Sequence, residues 1–138
     1  KSKKINLITN GTLSSIILNT YYSKMLNINS NGRAGGLTNT YFESGKVSYN
    51  DLFKDFKNVL LITDIMGSFG NSITGDFSCG ATGIYFENDE NYPINNFTLA
   101  GKIEDIFKNI VLANDLEFKY AKNCPTALIK EGLVVGGV

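Results

Sequence analysis

The sequence contains no histidine and no tryptophan, and only two of its 138 residues are proline and two are cysteine. Without histidine, the chain cannot supply a Ser-His or Cys-His nucleophile pair, an imidazole proton shuttle or a His-ligated zinc ion. The commonest hydrolase and metalloenzyme sites are therefore excluded from lying wholly within this chain.

Charge of one sign is not in excess either, because thirteen basic residues balance thirteen acidic ones. Nucleic-acid binding depends on a basic field, so we expect no nucleic-acid partner. No apolar run approaches the roughly 18 residues that a membrane-spanning helix needs, so we expect no membrane partner. The length fits one domain, and 43% hydrophobic with 19% charged residues is typical of a globular protein.

The two cysteines, Cys79 and Cys124, lie far apart and form no CxxC motif, which argues against a redox pair or a zinc knuckle. A disulfide between them stays open, but two reduced thiols in an intracellular protein is the favoured interpretation. The chain begins with a Lys-rich stretch at Lys1 rather than with Met, so we expect an upstream part that this sequence does not include.

Hydrophobic periodicity predicts mostly strands with a few short helices. Asn10-Gly11 predicts a hairpin between its flanking runs, since both residues accept positive φ, and Ser48 to Asp51 resembles a capping box before a helix of two turns. A short helix capped by Asn19 or Thr20, and a longer helix over 101–112, are predicted as well. Strands are predicted at 37–43, 58–66, 76–88, 92–100, 116–120 and, as one strand or a pair, 126–135.

These elements lack the regular strand-helix alternation of a doubly wound fold. The predicted class is therefore α+β, with mainly antiparallel or mixed β-sheet and two or three short helices. We find no linker or internal repeat, which predicts a single domain over residues 1–138.

Few segments carry residues suited to chemistry. The loop from Gly32 to Gly36 lacks the spacing of a phosphate-binding loop, so a turn is the favoured interpretation. Ser78 and Cys79 are potential nucleophiles without a histidine base, and Asp76 would orient a partner or cap a turn. Nothing singles out an acid/base pair among the carboxylates, which are Asp55, Asp64, Asp76, Glu87 and Glu90. We therefore predict no catalytic residue in this chain.

Several ordered segments, taken together, resemble the TldD/PmbA family, once labelled modulators of DNA gyrase. The two upstream segments 32–36 and 61–67 are similar to the PmbA (TldE) branch. The resemblance covers essentially the whole chain, which corresponds to the last third of a family member. The other segments that carry it are 74–83, 87–90, 92–94, 98–101, 105–110 and 134–137.

The resemblance implies a cytoplasmic TldD–TldE heterodimer that acts as a metalloprotease on unfolded or extended peptides. Zinc is then expected in the TldD-type partner, which uses an HExxxH helix and a late cysteine, and no cofactor is expected in this chain. The expected partners are a TldD-like subunit, or a second copy in a homodimer, and an extended peptide. Cys124 falls near the late ligand cysteine but has no histidine beside it, so it is only a weak metal candidate.

The family motif supplies the predicted peptide-cleft residues, which are Thr74, Gly75, Asp76, Phe77, Ser78, Gly80 and Gly83. The glycines in the predicted strand 76–88 leave room for another backbone to pair alongside, which would bind peptides regardless of sequence. The alternative is that Gly80 and Gly83 mark a bulge or a sharp bend of the sheet.

Two other functions stay open at this stage. One is a binding or regulatory module without proteolysis, in keeping with the gyrase-modulator label. The other is part of a catalytic TldD-like metallopeptidase whose histidine ligands lie upstream.

Overall fold

The computed structural model describes residues 3–67, 70–88 and 90–137. Five of the six strand pairs among these residues are antiparallel, and an isolated parallel bridge joins Val47 and Ala113, so the predicted α+β class with mainly antiparallel or mixed sheet is confirmed. In chain order the elements are β1 (Ile8–Thr9), β2 (Thr12–Leu13), α1 (Thr20–Met25), β3 (Thr40–Tyr41), α2 (Tyr49–Phe53), β4 (Asn58–Met66), β5 (Asp76–Glu87), β6 (Glu90–Lys102), α3 (Ile103–Asn109), β7 (Ile110–Leu112), β8 (Lys122–Asn123), β9 (Ala127–Ile129) and β10 (Leu133–Gly136).

Backbone contacts divide the chain into two units. The first unit comprises Lys1–Thr40 and Tyr120–Lys122, and the second comprises Tyr41–Lys119 and Asn123–Val138. The division does not test the prediction of a single domain, since one domain can contain two such units.

The first unit contains the predicted hairpin. Asn10 and Gly11 have φ values of +50° and +76°, and Ile8 faces Leu13 across the two short strands. Helix α1 begins at the predicted cap, because the Asn19 side chain accepts a 2.9 Å hydrogen bond from the Tyr22 amide. Both local predictions are confirmed.

The second unit contains a four-stranded sheet in the order β10-β6-β5-β4. Strands place alternate residues on opposite faces, and the odd-numbered residues of β5 face the core. The buried cluster is Phe77, Cys79, Ala81, Phe97 and Leu99. Helix α3 covers this face with Ile103 and Ile106, while Leu60, Ile62, Ile94 and Leu133 pack at the margins.

The sheet bends at Thr82. Opposite this residue β4 carries the extra residue Thr63, and β6 carries an extra residue beside Asn96, whose φ is +58°. Gly83 follows directly, and a Cβ there would lie 2.3 Å from the carbonyl oxygen of Leu61. The bulge predicted as one explanation of Gly83 is therefore present, in the two strands that flank it.

The helix cap predicted at Ser48 is confirmed. The Ser48 hydroxyl accepts a hydrogen bond from the Asp51 amide at 3.1 Å and donates one to the Asp51 carboxylate at 2.7 Å. The hydroxyl first, and the ammonium of Lys54 second, hold the pKa of Asp51 below its usual value. Helix α2 is shorter than the predicted two turns and ends at Phe53.

The helix predicted over 101–112 is wrong at both ends. Helix α3 spans Ile103–Asn109 and has no side-chain cap at Lys102, and Ile110–Leu112 forms strand β7. Strand β7 pairs with β9, and β-branched Ile110 and Val111 suit a strand better than a helix. Long-range pairing therefore overrides the local helical spacing.

Two predicted strands are also wrong. Residues 116–120 form no strand, because the Asn123 side chain accepts from the Lys119 amide at 2.9 Å and so fixes a local loop instead. The strand predicted at 37–43 is reduced to the two residues of β3. The pair predicted at 126–135 is confirmed as β9 and β10, with Gly132 between them at a φ of +92°.

Candidate functional site

The first part of the motif, Thr74 and Gly75, lies in a tight turn before β5. The Asn71 carbonyl accepts from the Gly75 amide at 2.8 Å, and the Asn71 amide donates to the Asp76 carbonyl at 2.8 Å. Gly75 has a φ of +75° with open space where a Cβ would stand, so conformation rather than crowding requires glycine here. The Gly75 carbonyl also accepts from the first amide of α3, which ties this turn to the helix.

The seven predicted cleft residues do not share one surface. Strand alternation directs Phe77 and Gly83 to the core face, and Asp76, Ser78 and Gly80 to the opposite face. On that opposite face, Asp76 lies 3.8 Å from the ammonium of Lys102 in an exposed pair. This face therefore carries three of the seven motif residues, and a role for them in a peptide cleft stays a prediction.

From Gly80 to Glu87, both edges of β5 are already paired, so another backbone cannot add alongside this part of the strand. Strand β4 pairs with β5 from Gly80 to Glu87, and β6 pairs with it along its whole length. Near the start of β5, the backbone amide of Asn71 donates a hydrogen bond to the carbonyl of Asp76. The glycine-bearing part of β5, from Gly80 to Glu87, therefore offers a peptide no open edge.

An open edge does exist on β4. In the described part of the chain, no strand pairs with β4 on the side away from β5. This strand has nine residues, and its last four, Thr63 to Met66, are exposed. An edge of this length presents a row of backbone donors and acceptors to which an extended polypeptide can add.

The two cysteines are both free thiols, so the reduced state expected for them agrees with the structure. Cys79 is buried, and its thiol donates to the Leu99 carbonyl at 3.6 Å, which makes it part of the core rather than a nucleophile. Cys124 is exposed. Desolvation by the atoms crowded around the sulfur, and then the negative charge of Asp115, raise the pKa of the Cys124 thiol.

The Asp115 carboxylate fixes the loop beside Cys124 by hydrogen bonds to Thr126. One carboxylate oxygen accepts from the Thr126 amide at 2.8 Å and the other from the Thr126 hydroxyl at 2.6 Å. These bonds, the hydroxyl first, hold the pKa of Asp115 below its usual value despite the opposing effect of desolvation. Since both carboxylate oxygens accept hydrogen bonds from Thr126, we assign a structural role to Asp115.

The glycine-rich loop and the carboxylates of Glu87 and Glu90, which the sequence offered as further candidates, have structural roles. Gly32 and Gly36 have positive φ, and the Arg33 guanidinium donates to the Lys3 carbonyl, so the glycine-rich loop is a turn as predicted. Glu87 and Glu90 face each other across the β5–β6 hairpin, and the Tyr92 hydroxyl donates to Glu90. The described residues contain no group of three potential metal ligands and no helix long and apolar enough to cross a membrane.

A cavity of about 390 Å³ lies beside α2, and no sequence motif predicted it. Aromatic rings from α2 and from the following turn form one wall, and the starts of β4 and β6 and the end of β5 form the other. The spacing of Tyr49, Phe53 and Phe56 at i, i+4 and i+7 was the available signal, although it indicates a core-facing helix equally well. The lining residues are Tyr49, Phe53, Phe56, Lys57, Val59, Leu61, Phe86, Glu87, Glu90 and Asn91.

Comparison with known proteins gives a consistent result. The family model described as "PmbA/TldA metallopeptidase C-terminal domain" matches residues 1–137. "Metalloprotease PmbA" of Escherichia coli O157:H7 is 33% identical over 138 residues, covering 99% of this chain and 31% of the relative. The "Metalloprotease PmbA homolog" of Haemophilus influenzae is 35% identical over 116 residues, covering 82% of this chain and 26% of the relative.

Two solved structures share the fold. A protein of Thermotoga maritima, named as a candidate modulator of a DNA gyrase, has a TM-score of 0.83 and 27% identity over 98% of this chain and 33% of its own. A protein of Bacteroides thetaiotaomicron with a similar name has a TM-score of 0.81 over 99% of this chain and 31% of its own; at 24% identity it shows the fold alone. This chain thus spans about a third of the length of its curated relatives, and it belongs to the PmbA/TldD family as the C-terminal domain of that family.

Proposed function

We propose that this chain is the C-terminal domain of a PmbA/TldE-like, metal-free subunit of a TldD–TldE-type metalloprotease. In this proposal the cytoplasmic complex processes unfolded or extended peptides. A TldD-type partner holds the catalytic zinc, and this domain forms part of the peptide cleft.

The donor set of this chain does not fit a zinc site. The sequence supplies no imidazole, and the Cys124 thiol has a raised pKa, which disfavours the thiolate that binds metal. The carboxylate that acts on this thiol, Asp115, is already engaged by two groups of Thr126. In this proposal the metal expected from the family is held by residues outside this chain, and no chemical step is assigned to these residues.

The open edge of β4 is the observation that carries the peptide-binding part of the proposal. Backbone pairing along an edge recognises extended peptides by their amides and carbonyls, and therefore tolerates many sequences. Such a surface suits a subunit that positions substrate while its partner cleaves it. The outward-facing Asp76, Ser78 and Gly80 lie on β5, the strand that neighbours this edge in the same sheet.

The experiment compares cleavage of an unstructured peptide by the protein alone, by a TldD-type subunit carrying HExxxH, and by the mixture. Cleavage that requires the mixture supports the proposal. Stoichiometric zinc binding with cleavage by this protein alone contradicts it and favours a catalytic TldD-like chain. No cleavage in any arm, with peptide binding retained, favours a regulatory binding module.

Peptide addition is measured separately by hydrogen exchange. We expect the amides of β4, rather than those of the opposite edge strand β10, to gain protection when the peptide binds. A matched peptide with N-methyl groups on alternate residues, tested in both registers, removes half of the donors and should lose the protection. Equal protection by the N-methylated peptides would show that edge pairing is not the mode of binding.

A further inference from the structure

The cavity beside α2 lies over the face of the four-stranded sheet that is turned away from the core. Val59 of β4, Phe86 of β5 and Asn91 of β6 stand opposite one another across the three strands, so their side chains share this face. Leu61, two residues after Val59, points to the same side, whereas Leu60 between them packs against the core cluster. The floor of the cavity is therefore a strip of sheet that includes the edge strand β4.

Aromatic rings form the opposite wall of the cavity. Tyr49 and Phe53 are four residues apart in α2 and lie on one side of the helix, where their rings meet edge to face at 5.2 Å between centroids. The Phe56 amide donates to the Phe53 carbonyl at 3.0 Å, which turns the chain after α2 and brings a third ring to the cavity. Leu52, on the same helix, is buried and anchors it. The wall is thus formed before any ligand binds.

The rings are only partly buried, so a ligand can still remove apolar surface from water. Tyr49 is 45% exposed, Phe56 is 38% exposed and Phe86 is 39% exposed. The volume of about 390 Å³ lies at the lower end of the roughly 300–1,000 Å³ of ligand pockets, which suits a single large side chain. Aromatic walls favour an aromatic occupant, because ring pairs stabilise a contact beyond the area that they bury.

The charges at the cavity favour an occupant that enters and leaves over a permanent cover. Three of the lining residues are charged, namely Lys57, Glu87 and Glu90. Glu90 accepts from the Tyr92 hydroxyl, whereas Lys57 and Glu87 form no ion pair or hydrogen bond with any residue that the structure describes. Another part of the polypeptide that covered the cavity permanently would remove these charges from water without partners, which is costly. A single side chain can enter between the rings while the charged groups stay hydrated.

The open edge of β4 indicates how such a side chain reaches the cavity. A peptide strand that adds to this edge places every second side chain on the cavity side of the sheet, because the side chains of a strand alternate. The peptide residue opposite Val59 or Leu61 then has its Cβ about 4.5–5.5 Å from theirs. Since Val59 and Leu61 themselves line the cavity, a large side chain at that position can reach into it.

We propose that the cavity beside α2 is a side-chain pocket for the peptide that pairs with β4, and that it takes a large apolar residue, above all an aromatic one. This inference rests on the proposed binding of extended peptides at β4 and adds a sequence preference to it. The edge recognises any backbone, whereas the pocket selects one residue. The domain thus holds an extended peptide in a single register.

The test scans phenylalanine along an extended polar host peptide, with alanine at the same position as the reference. Binding is measured with the full-length protein in the presence of a metal chelator, which prevents cleavage. Phenylalanine should tighten binding about tenfold to a hundredfold over alanine at one position. It should have no such effect at the positions directly before and after, whose side chains point away from the cavity. At saturation, both peptides should protect the β4 amides from hydrogen exchange.

Tyr49→Ala removes one ring from the wall and leaves α2 intact, because alanine favours a helix and the Ser48 cap remains. It should reduce the advantage of phenylalanine about three- to tenfold and leave the affinity for the alanine peptide unchanged. The matched control is Phe107→Ala in α3. This ring is 49% exposed and contacts one other ring, that of Phe42, as Tyr49 contacts Phe53, but it does not line the cavity. The control should change neither affinity.

Protection of β4 without an advantage of phenylalanine at any position would overturn the pocket and leave the proposed edge binding standing. The same result follows if another part of the full-length protein fills the cavity. Loss of β4 protection with every peptide would instead overturn the proposed edge binding, and this inference with it. An advantage that is equal at adjacent positions, or that Tyr49→Ala leaves unchanged, would place the side chain elsewhere and also overturn the pocket.

Discussion

Gly83 tests whether the glycines of the family motif serve the sheet or a bound peptide. We predict that Gly83→Ala destabilises the protein, because the new Cβ would lie 2.3 Å from the Leu61 carbonyl oxygen and 3.2 Å from its carbon. Both are backbone atoms of the paired strand β4, so no side chain can rotate away. The strand itself must shift.

The expected loss is about 1–3 kcal/mol, the usual range for overpacking. The φ of Gly83 is not positive, so alanine is not strained there, and its lower unfolded-state entropy would otherwise add about 0.4–1 kcal/mol of stability. We expect the steric cost to exceed this entropic gain, because the atoms that the new Cβ meets belong to the backbone and cannot rotate away. For a chain of this length the midpoint of thermal unfolding should fall by roughly 4–12 °C.

Gly80→Ala is the matched control on the same strand. A Cβ at Gly80 would meet the Met66 side chain at 3.5 Å, which is an ordinary contact. We expect its unfolding free energy to stay within about 0.5 kcal/mol of the wild type. Urea denaturation of the three proteins measures both changes. If both variants fold with wild-type stability and both bind peptide more weakly, the glycines serve the peptide and our reasoning is wrong.

Two further predictions concern the loop around Cys124. Asp115→Asn should destabilise the protein at neutral pH by up to about 1 kcal/mol, because it breaks the bond from the Thr126 hydroxyl. Since the folded pKa of Asp115 lies below the ordinary 3.8, this stabilisation is present above that value and is lost as the pH falls through the folded pKa. A deficit that stays unchanged in urea titrations from pH 7 down to a pH at which NMR shows the Asp115 carboxyl to be protonated would contradict the assignment. Cys124 should react with iodoacetamide more slowly at pH 8 than cysteine in an unfolded peptide, and its rate should reach half-maximum at a higher pH, because its thiol pKa is raised. Mass spectrometry separates it from buried Cys79, and a rate equal to that of the peptide would refute the pKa direction.

Local chemistry explains which elements the sequence could predict. The hairpin at Asn10-Gly11 and the cap at Ser48 depend on residues within four positions of each other, and both are present. The end of α3 could not be predicted in this way. Residues Ile110–Leu112 continue the helical spacing, yet they pair with strand β9 later in the chain, and single-sequence periodicity carries no information on that partner.

The candidate site shows the same limit. The resemblance located the motif at 74–83, and the period of two in a strand is enough to separate Phe77 and Gly83 from Asp76, Ser78 and Gly80. That both edges of β5 are occupied from Gly80 to Glu87 could not be predicted, because the sequence of the predicted strand 58–66 does not indicate which strand it pairs with. The open edge therefore lies on β4 rather than on the glycine-bearing strand.

The motif and the open edge are nevertheless connected through Gly83. Because this residue has no side chain, the backbone of β4 at Leu61 can approach β5 closely, just before the bulge at Thr63. The bulge and the close approach together set the course of β4, and hence the direction in which the backbone amides and carbonyls of its outer edge point. A glycine that never touches a peptide can therefore still determine how one binds. In that case Gly83→Ala should alter peptide protection at β4 as well as stability, whereas Gly80→Ala should alter neither.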